Sequence, residues 1–194
     1  FSNVDLNTSK VADKKEFLVE LSNTIGFGEI RYTLDGNEPQ KNSLLYTSPF
    51  TLDQTTIIKA ATFSINDRYS EISAEKVWIH KSIAADIHFR TEFSEKYTGG
   101  GKDALNNGLR GSANLSDGRW QGYSNDNCSV TIDLGVEKEI NSVSVGCLQA
   151  VGSWVFYPQD VQVALFLDLP DESESIFSGT IENTISQRTP ESQT

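Results

Sequence analysis

The chain has 194 residues, 37% of them hydrophobic and 22% charged, and a formal net charge of −11. That acidity repels a phosphate backbone, and no basic run offsets it, so nucleic acid is excluded as a partner. No apolar stretch approaches the roughly 20 residues that a spanning helix needs, so no membrane span is expected.

Read in chain order, the apolar pattern has period two almost throughout. Phe17, Val19 and Leu21 alternate with polar neighbours, as do Ile30, Tyr32 and Leu34. The run from Thr56 to Phe63 is rich in β-branched and short apolar residues, and Val77-Trp78-Ile79 ends the first half, with Trp78 read as a core or interface residue. Turn signals separate these runs: Asp35-Gly36-Asn37-Glu38-Pro39, Ser48-Pro49 and Asn66-Asp67. After a boundary placed between residues 79 and 80, the spacing changes from tight hairpins to long loops. Thr91 to Asp126 holds most of the glycine, and Lys102 to Asn106 could make one helical turn. Strands are then expected at Val130–Leu134, Ile140–Leu148 and Val161–Leu167. From Pro170 onward the sequence is acidic and rich in Ser and Thr, and a mobile tail is expected from Ser186 to Thr194. The pattern is that of an all-β chain.

The two cysteines, Cys128 and Cys147, fall on alternating runs with apolar companions. Both are expected to face inward, either as free core thiols or, if their Cα atoms lie close enough, as a disulfide. Sequons stand at Asn7, Asn114 and Asn127, and matter in a glycosylating host. The two histidines, His80 and His88, lack a partner spacing typical of a transition-metal site. No Gly-x-Ser-x-Gly elbow is present, and Asp171-Glu172 reads as a solvated acidic pair. No active site is expected.

Loop aromatics are the better lead. Trp120 sits in Asp117-Gly118-Arg119-Trp120, and Trp154 and Tyr157 in Gly152-Ser153-Trp154-Val155-Phe156-Tyr157. An exposed ring can stack on the apolar face of a sugar, with Arg119, Asn125 or Asn127 bonding its hydroxyls. The same rings could instead plug the end of a sandwich. The loop from Asp103 to Ser112 offers oxygens for a structural calcium, with Asn107 and Ser112 as candidate ligands; Asn106-Asn107-Gly108 could equally be a plain turn.

Tyr32-Thr33-Leu34-Asp35-Gly36-Asn37-Glu38-Pro39, Leu45-Tyr46-Thr47-Ser48-Pro49-Phe50 and Ile58-Lys59-Ala60-Ala61 resemble the small immunoglobulin-like module of chitobiase C-termini over about residues 10–79. Tyr97, Gly100-Gly101, Gly108-Leu109-Arg110-Gly111-Ser112, Asp117 to Gly122, Thr131 to Gly135 and Gly152-Ser153-Trp154 resemble a discoidin-type, galactose-binding jelly roll. Together they are similar to the C-terminal accessory region of bacterial β-N-acetylhexosaminidases of glycoside hydrolase family 20. The resemblance implies an immunoglobulin-like β-sandwich at residues 1–79. It implies a galactose-binding-like jelly roll at 80–194, incomplete because it lacks its last strands. It also implies a secreted, periplasmic or cell-surface bacterial protein, of which this chain is a non-catalytic piece. Its role would be to support its own catalytic barrel or to hold glycan near it. The rival reading is an independent carbohydrate-binding or adhesion module. Loss of jelly-roll strands would expose a sheet edge, so self-association is expected.

Overall fold

The computed structural model describes residues 2–12, 14–66, 70–124, 127–168 and 174–182. The Asp171-Glu172 pair and the tail from Ser186 lie outside them. The chain is all-β and divides into two compact units. The first is Phe1–Ile87 with Lys102–Arg110, and the second His88–Gly101 with Gly111–Thr194.

The first unit holds strands β1 (Val4–Lys10), β2 (Phe17–Asn23), β3 (Glu29–Thr33), β4 (Leu44–Leu45), β5 (Phe50–Leu52), β6 (Thr56–Phe63) and β7 (Ser73–Val77). They form two antiparallel sheets, ordered β1-β2-β5 and β4-β3-β6-β7. Alternation decides which side faces in: Phe17, Val19 and Leu21 are buried on β2 while Glu20 and Ser22 between and beyond them are exposed. On the facing sheet Ile58, Ala60 and Val77 are fully buried, and Val4, Leu52 and Ile83 complete the same core. The small side chains of Ala60 and Ala61 suit β6, a central strand covered along most of its length. The two sheets are also tied directly where the Ser73 hydroxyl of β7 donates to the Val4 carbonyl of β1. This is the expected immunoglobulin-like sandwich.

The Asp35-Gly36 turn signal lies in the connection between β3 and β4, which pair antiparallel; Asp35 bridges Ile57 of β6, and the chain returns as β4 at Leu44. Gly36 takes φ +80°, and both carboxylate oxygens of Asp35 accept hydrogen bonds from Asn37.

Residues 102–110 belong to this unit and are bound into it by polar contacts. The expected single turn is a 3-10 turn at Lys102–Leu105. Asp103 bonds Lys10 at 2.9 Å. Asn106, 1% exposed, donates its amide to the carbonyls of Ser82 (2.8 Å) and Ala85 (2.9 Å). The Trp78 amide donates to the Gly108 carbonyl at 2.9 Å. Trp78, half-buried, carries the Lys76 ammonium 3.5 Å and the Arg110 guanidinium 4.3 Å from its ring centroid. Cation–π attraction thus accompanies packing at this ring.

In the second unit the described residues show two ladders. Strand β8 (Asp86–Phe89), which enters the unit at His88, pairs with β9 (Val130–Asp133), and β10 (Asp160–Leu165) pairs with β11 (Phe177–Glu182). The register of the second ladder opposes Val161 to Ile181, Val163 to Gly179 and Leu165 to Phe177, which puts its apolar residues on one face. The strand expected at Ile140–Leu148 does not form, and Val143 and Val145 are 44% and 49% exposed. Alternation marks a segment that could lie on a sheet, but a strand exists only where a partner backbone takes its hydrogen bonds.

Candidate functional site

The loops of the second unit hold most of the residues singled out in the sequence, and the structure sorts them into scaffold and display. The scaffold begins at the turn Asn114 to Arg119. Asp117 accepts bonds from the backbone amides of Ser112 and Arg119 (the latter at 2.9 Å), and the Asp117 amide donates to the Asn114 carbonyl at 3.1 Å. Burial raises the Asp117 carboxyl, but these bonds and the nearby Arg119 charge outweigh it and leave the group below the usual carboxylate range. Trp120 follows, half-buried. Its indole N–H donates to the Ser112 carbonyl at 2.8 Å, and its ring lies so close over Gly111 that a Cβ there would sit 2.3 Å from Cε2. Trp120 is therefore a packing residue.

Next to it, Gly122 and Tyr97 exchange a backbone bond at 2.9 Å, and Gln121 donates to the Gly101 carbonyl at 3.1 Å. The Tyr123 hydroxyl donates to Gln121 Oε1 at 2.7 Å. Burial, then the Cys128 side chain, pushes the Tyr123 phenol well above its ordinary value. Arg119 is half-buried in the turn. Asn127 is exposed, but its carbonyl is engaged by the Thr91 hydroxyl at 2.7 Å. Asn125 lies outside the described residues.

Both cysteines are free, which leaves the disulfide alternative unformed. The expectation that both face a core is corrected. Cys128 is exposed because β9 starts only at Val130, leaving it ahead of the ladder. Cys147 is half-buried, and its thiol is raised by burial first and by Cys128 second.

The two candidate calcium ligands fall in different units. Asn107, in the first unit, uses its amide oxygen to accept from the Leu109 amide at 2.9 Å, an Asx turn. Ser112, in the second, accepts from Trp120 at its carbonyl and from the Asn114 amide (3.1 Å) at its hydroxyl. Both are spent on their own turns, neither is a carboxylate, and calcium needs six to eight oxygens. Among the described residues no group of three His, Cys, Asp or Glu converges on a point. These residues do not fit the ion.

Display is left to one loop. Ala150 and Val155 exchange both backbone hydrogen bonds, at 3.0 and 3.2 Å, which closes a short loop with a 3-10 turn at Val151–Ser153. The Ser153 and Trp154 amides donate to the Ala150 and Val151 carbonyls at 2.8 and 3.0 Å. Trp154 caps that turn in the left-handed region, φ 59° and ψ 30°, a conformation that costs a non-glycine residue roughly 1–2 kcal/mol. Its side chain is 85% exposed and meets Phe156, itself 48% exposed, edge to face at 6.4 Å between centroids. A large ring is thus held out, beside a second exposed ring, from a strained turn closed by paired backbone bonds. Tyr157, by contrast, is 5% exposed and sits in the interior. Phe156 was not singled out in the sequence; its position two residues from Trp154 was the available signal.

Among the described residues no helix is long and apolar enough to cross a membrane. No curated protein matches the chain. Residues 19–77 match the family model described as Fn3 associated. That span runs from within β2 to the end of β7, so the β-sandwich of the first unit is similar to a fibronectin-III-associated, immunoglobulin-like module.

Proposed function

We propose that this chain is a non-catalytic accessory region that holds glycan on the Trp154–Phe156 platform. The parent would be a glycoside hydrolase, of the kind whose family 20 β-N-acetylhexosaminidases the sequence resembles. The observation that carries the reading is Trp154 itself: 85% exposed, in a left-handed conformation, on a loop closed by paired backbone bonds. Two neighbouring exposed rings offer a stacking surface, and a pyranose ring presents a matching CH face. Holding glycan this way would raise its effective concentration at a linked catalytic domain outside the cytoplasm. An adhesion module without an enzyme would use the same platform.

The test is tryptophan fluorescence titrated with galactose, N-acetylglucosamine, N-acetylgalactosamine and their short oligomers. A saturable shift that disappears in Trp154→Ala, but persists in Phe89→Leu, is expected. A flat response in the folded protein would remove glycan binding. A second reading, support of a neighbouring domain, is favoured by the apolar face of the β10–β11 ladder, where Ile181 and Phe177 are 58% and 54% exposed. Co-purification with a separately expressed parent barrel, weakened by Ile181→Asp, would select it.

A further inference from the structure

We propose a second saccharide site in the first unit, an open groove beside β3 where the short strand β4 stops. It is a different site from the Trp154 platform and does not rest on it.

The groove follows from the sheet's edge. Strand β4 pairs with β3 only at Arg31–Leu45 and Tyr32–Leu44, so the ladder ends before Thr33, whose hydroxyl donates to the Asn37 carbonyl at 2.6 Å. The opening has a volume of about 470 Å³, lined by Tyr32, Leu34, Asp35, Asn42 and Leu44, with Thr33 and Ser43 between them. Its floor is rigid. Tyr32 stacks on Phe50 at 4.9 Å between centroids and 15° between planes, and Tyr46 meets both edge to face at 6.4 Å. The far wall is held by Arg31, which donates to the Ser43 carbonyl at 3.1 Å, and by Ser43, whose hydroxyl accepts from the Gln40 amide at 2.8 Å.

The lining chemistry selects the ligand. Leu44 is 55% exposed and Leu34 is half-buried, which supplies apolar walls for the CH faces of a sugar ring. Asn42 is exposed and brings an amide that both donates and accepts. Asp35 brings an ionised acceptor: hydrogen bonds from the backbone and then the side chain of Asn37 hold its carboxyl below the usual range, and each oxygen keeps a further lone pair. A carboxylate, an amide and a phenol around apolar side chains suit a neutral, hydroxyl-rich pyranoside. A polyanion is disfavoured by Asp35 and by the net charge of −11. A lysine-bearing peptide would need only the carboxylate and would leave Asn42 and Tyr32 unused.

Backbone and side-chain amide NMR shifts of the whole chain, titrated with N-acetylglucosamine trisaccharide, galactose and a Lys-containing hexapeptide, test the proposal. Saturable shifts at the Asn42 side-chain amide and at Leu44 are expected with sugar, in the native chain and in Trp154→Ala alike. Asn42→Ala should weaken them about tenfold, the loss of one or two hydrogen bonds, and Tyr32→Phe should weaken them less, because it keeps the stack on Phe50. Shifts confined to residues 150–156, or shifts at the groove with the peptide alone, would overturn the groove site. Shifts confined to the groove would keep it and instead remove the Trp154 platform.

Discussion

Replacing Gly108 by Ala should unfold the first unit more readily than its single methyl group suggests. Two separable penalties meet at this position. Gly108 has φ +77°, so an L side chain there incurs the left-handed strain of roughly 1–2 kcal/mol. The methyl would also lie 2.4 Å from the Trp78 carbonyl oxygen, 2.6 Å from Phe17 Cζ and 3.1 Å from Ile83 Cδ1. Neither of the nearer atoms can yield easily. The carbonyl belongs to a backbone whose amide is bonded to Gly108, and Phe17 is fully buried at the centre of the core. Overpacking of this kind costs about 1–3 kcal/mol, so the sum is roughly 2–5 kcal/mol. Gly36→Ala is the control, because it has nearly the same φ, +80°, but meets Ile57 only at ordinary contact distances of 3.5 Å and beyond. It should show the strain penalty alone. Urea denaturation followed by far-ultraviolet circular dichroism gives both values. Equal losses in the two variants would refute the claim that residues 102–110 are packed against the core of the sandwich.

Trp154→Gly should raise stability by about 0.5–1 kcal/mol, the left-handed penalty less the chain entropy that glycine adds, while sugar binding is lost; a destabilised variant would mean that the ring packs rather than projects. Asn106→Ala removes a buried amide that serves two carbonyls; that of Ser82 keeps its bond from the Ala85 amide and that of Ala85 loses its side-chain donor, so a loss of roughly 1–3 kcal/mol is expected in the same denaturation assay. Gly111→Ala drives a methyl into the Trp120 ring and should shift its fluorescence toward that of an exposed indole; an unchanged spectrum would count against the stack. His80 has its pKa lowered from 6.5 by burial and then by the Arg110 and Lys15 charges. The unfolded chain therefore binds the proton more readily, and stability present above pH 6.5 should fall as the pH drops through and below that value. His80→Gln should flatten that part of the profile, and an NMR titration midpoint for His80 at or above 6.5 would contradict it.

Much of the first unit is legible in the sequence because a two-sheet sandwich imposes a local rule. One side of every strand is wet, so Phe17, Val19 and Leu21 or Ile58 and Ala60 carry the fold in their spacing, and the turns between them are written in Gly, Pro, Asn and Asp. The same rule fails where pairing is non-local. Val143 and Val145 alternate as well as any core strand, yet among the described residues no strand pairs with them, while Phe177–Glu182 sits in an acidic stretch and pairs because β10 offers an edge. Nor does sequence rank the aromatic residues. Trp120, Trp154 and Tyr157 carry similar local signatures, and only the folded chain shows that Gly111 lies under the first, a closed left-handed turn exposes the second and the interior takes the third. The sequence by itself determined the class of fold and the list of side chains able to touch a ligand. Which of them do so was left to the tertiary structure, because exposure depends on what distant segments bring alongside each residue.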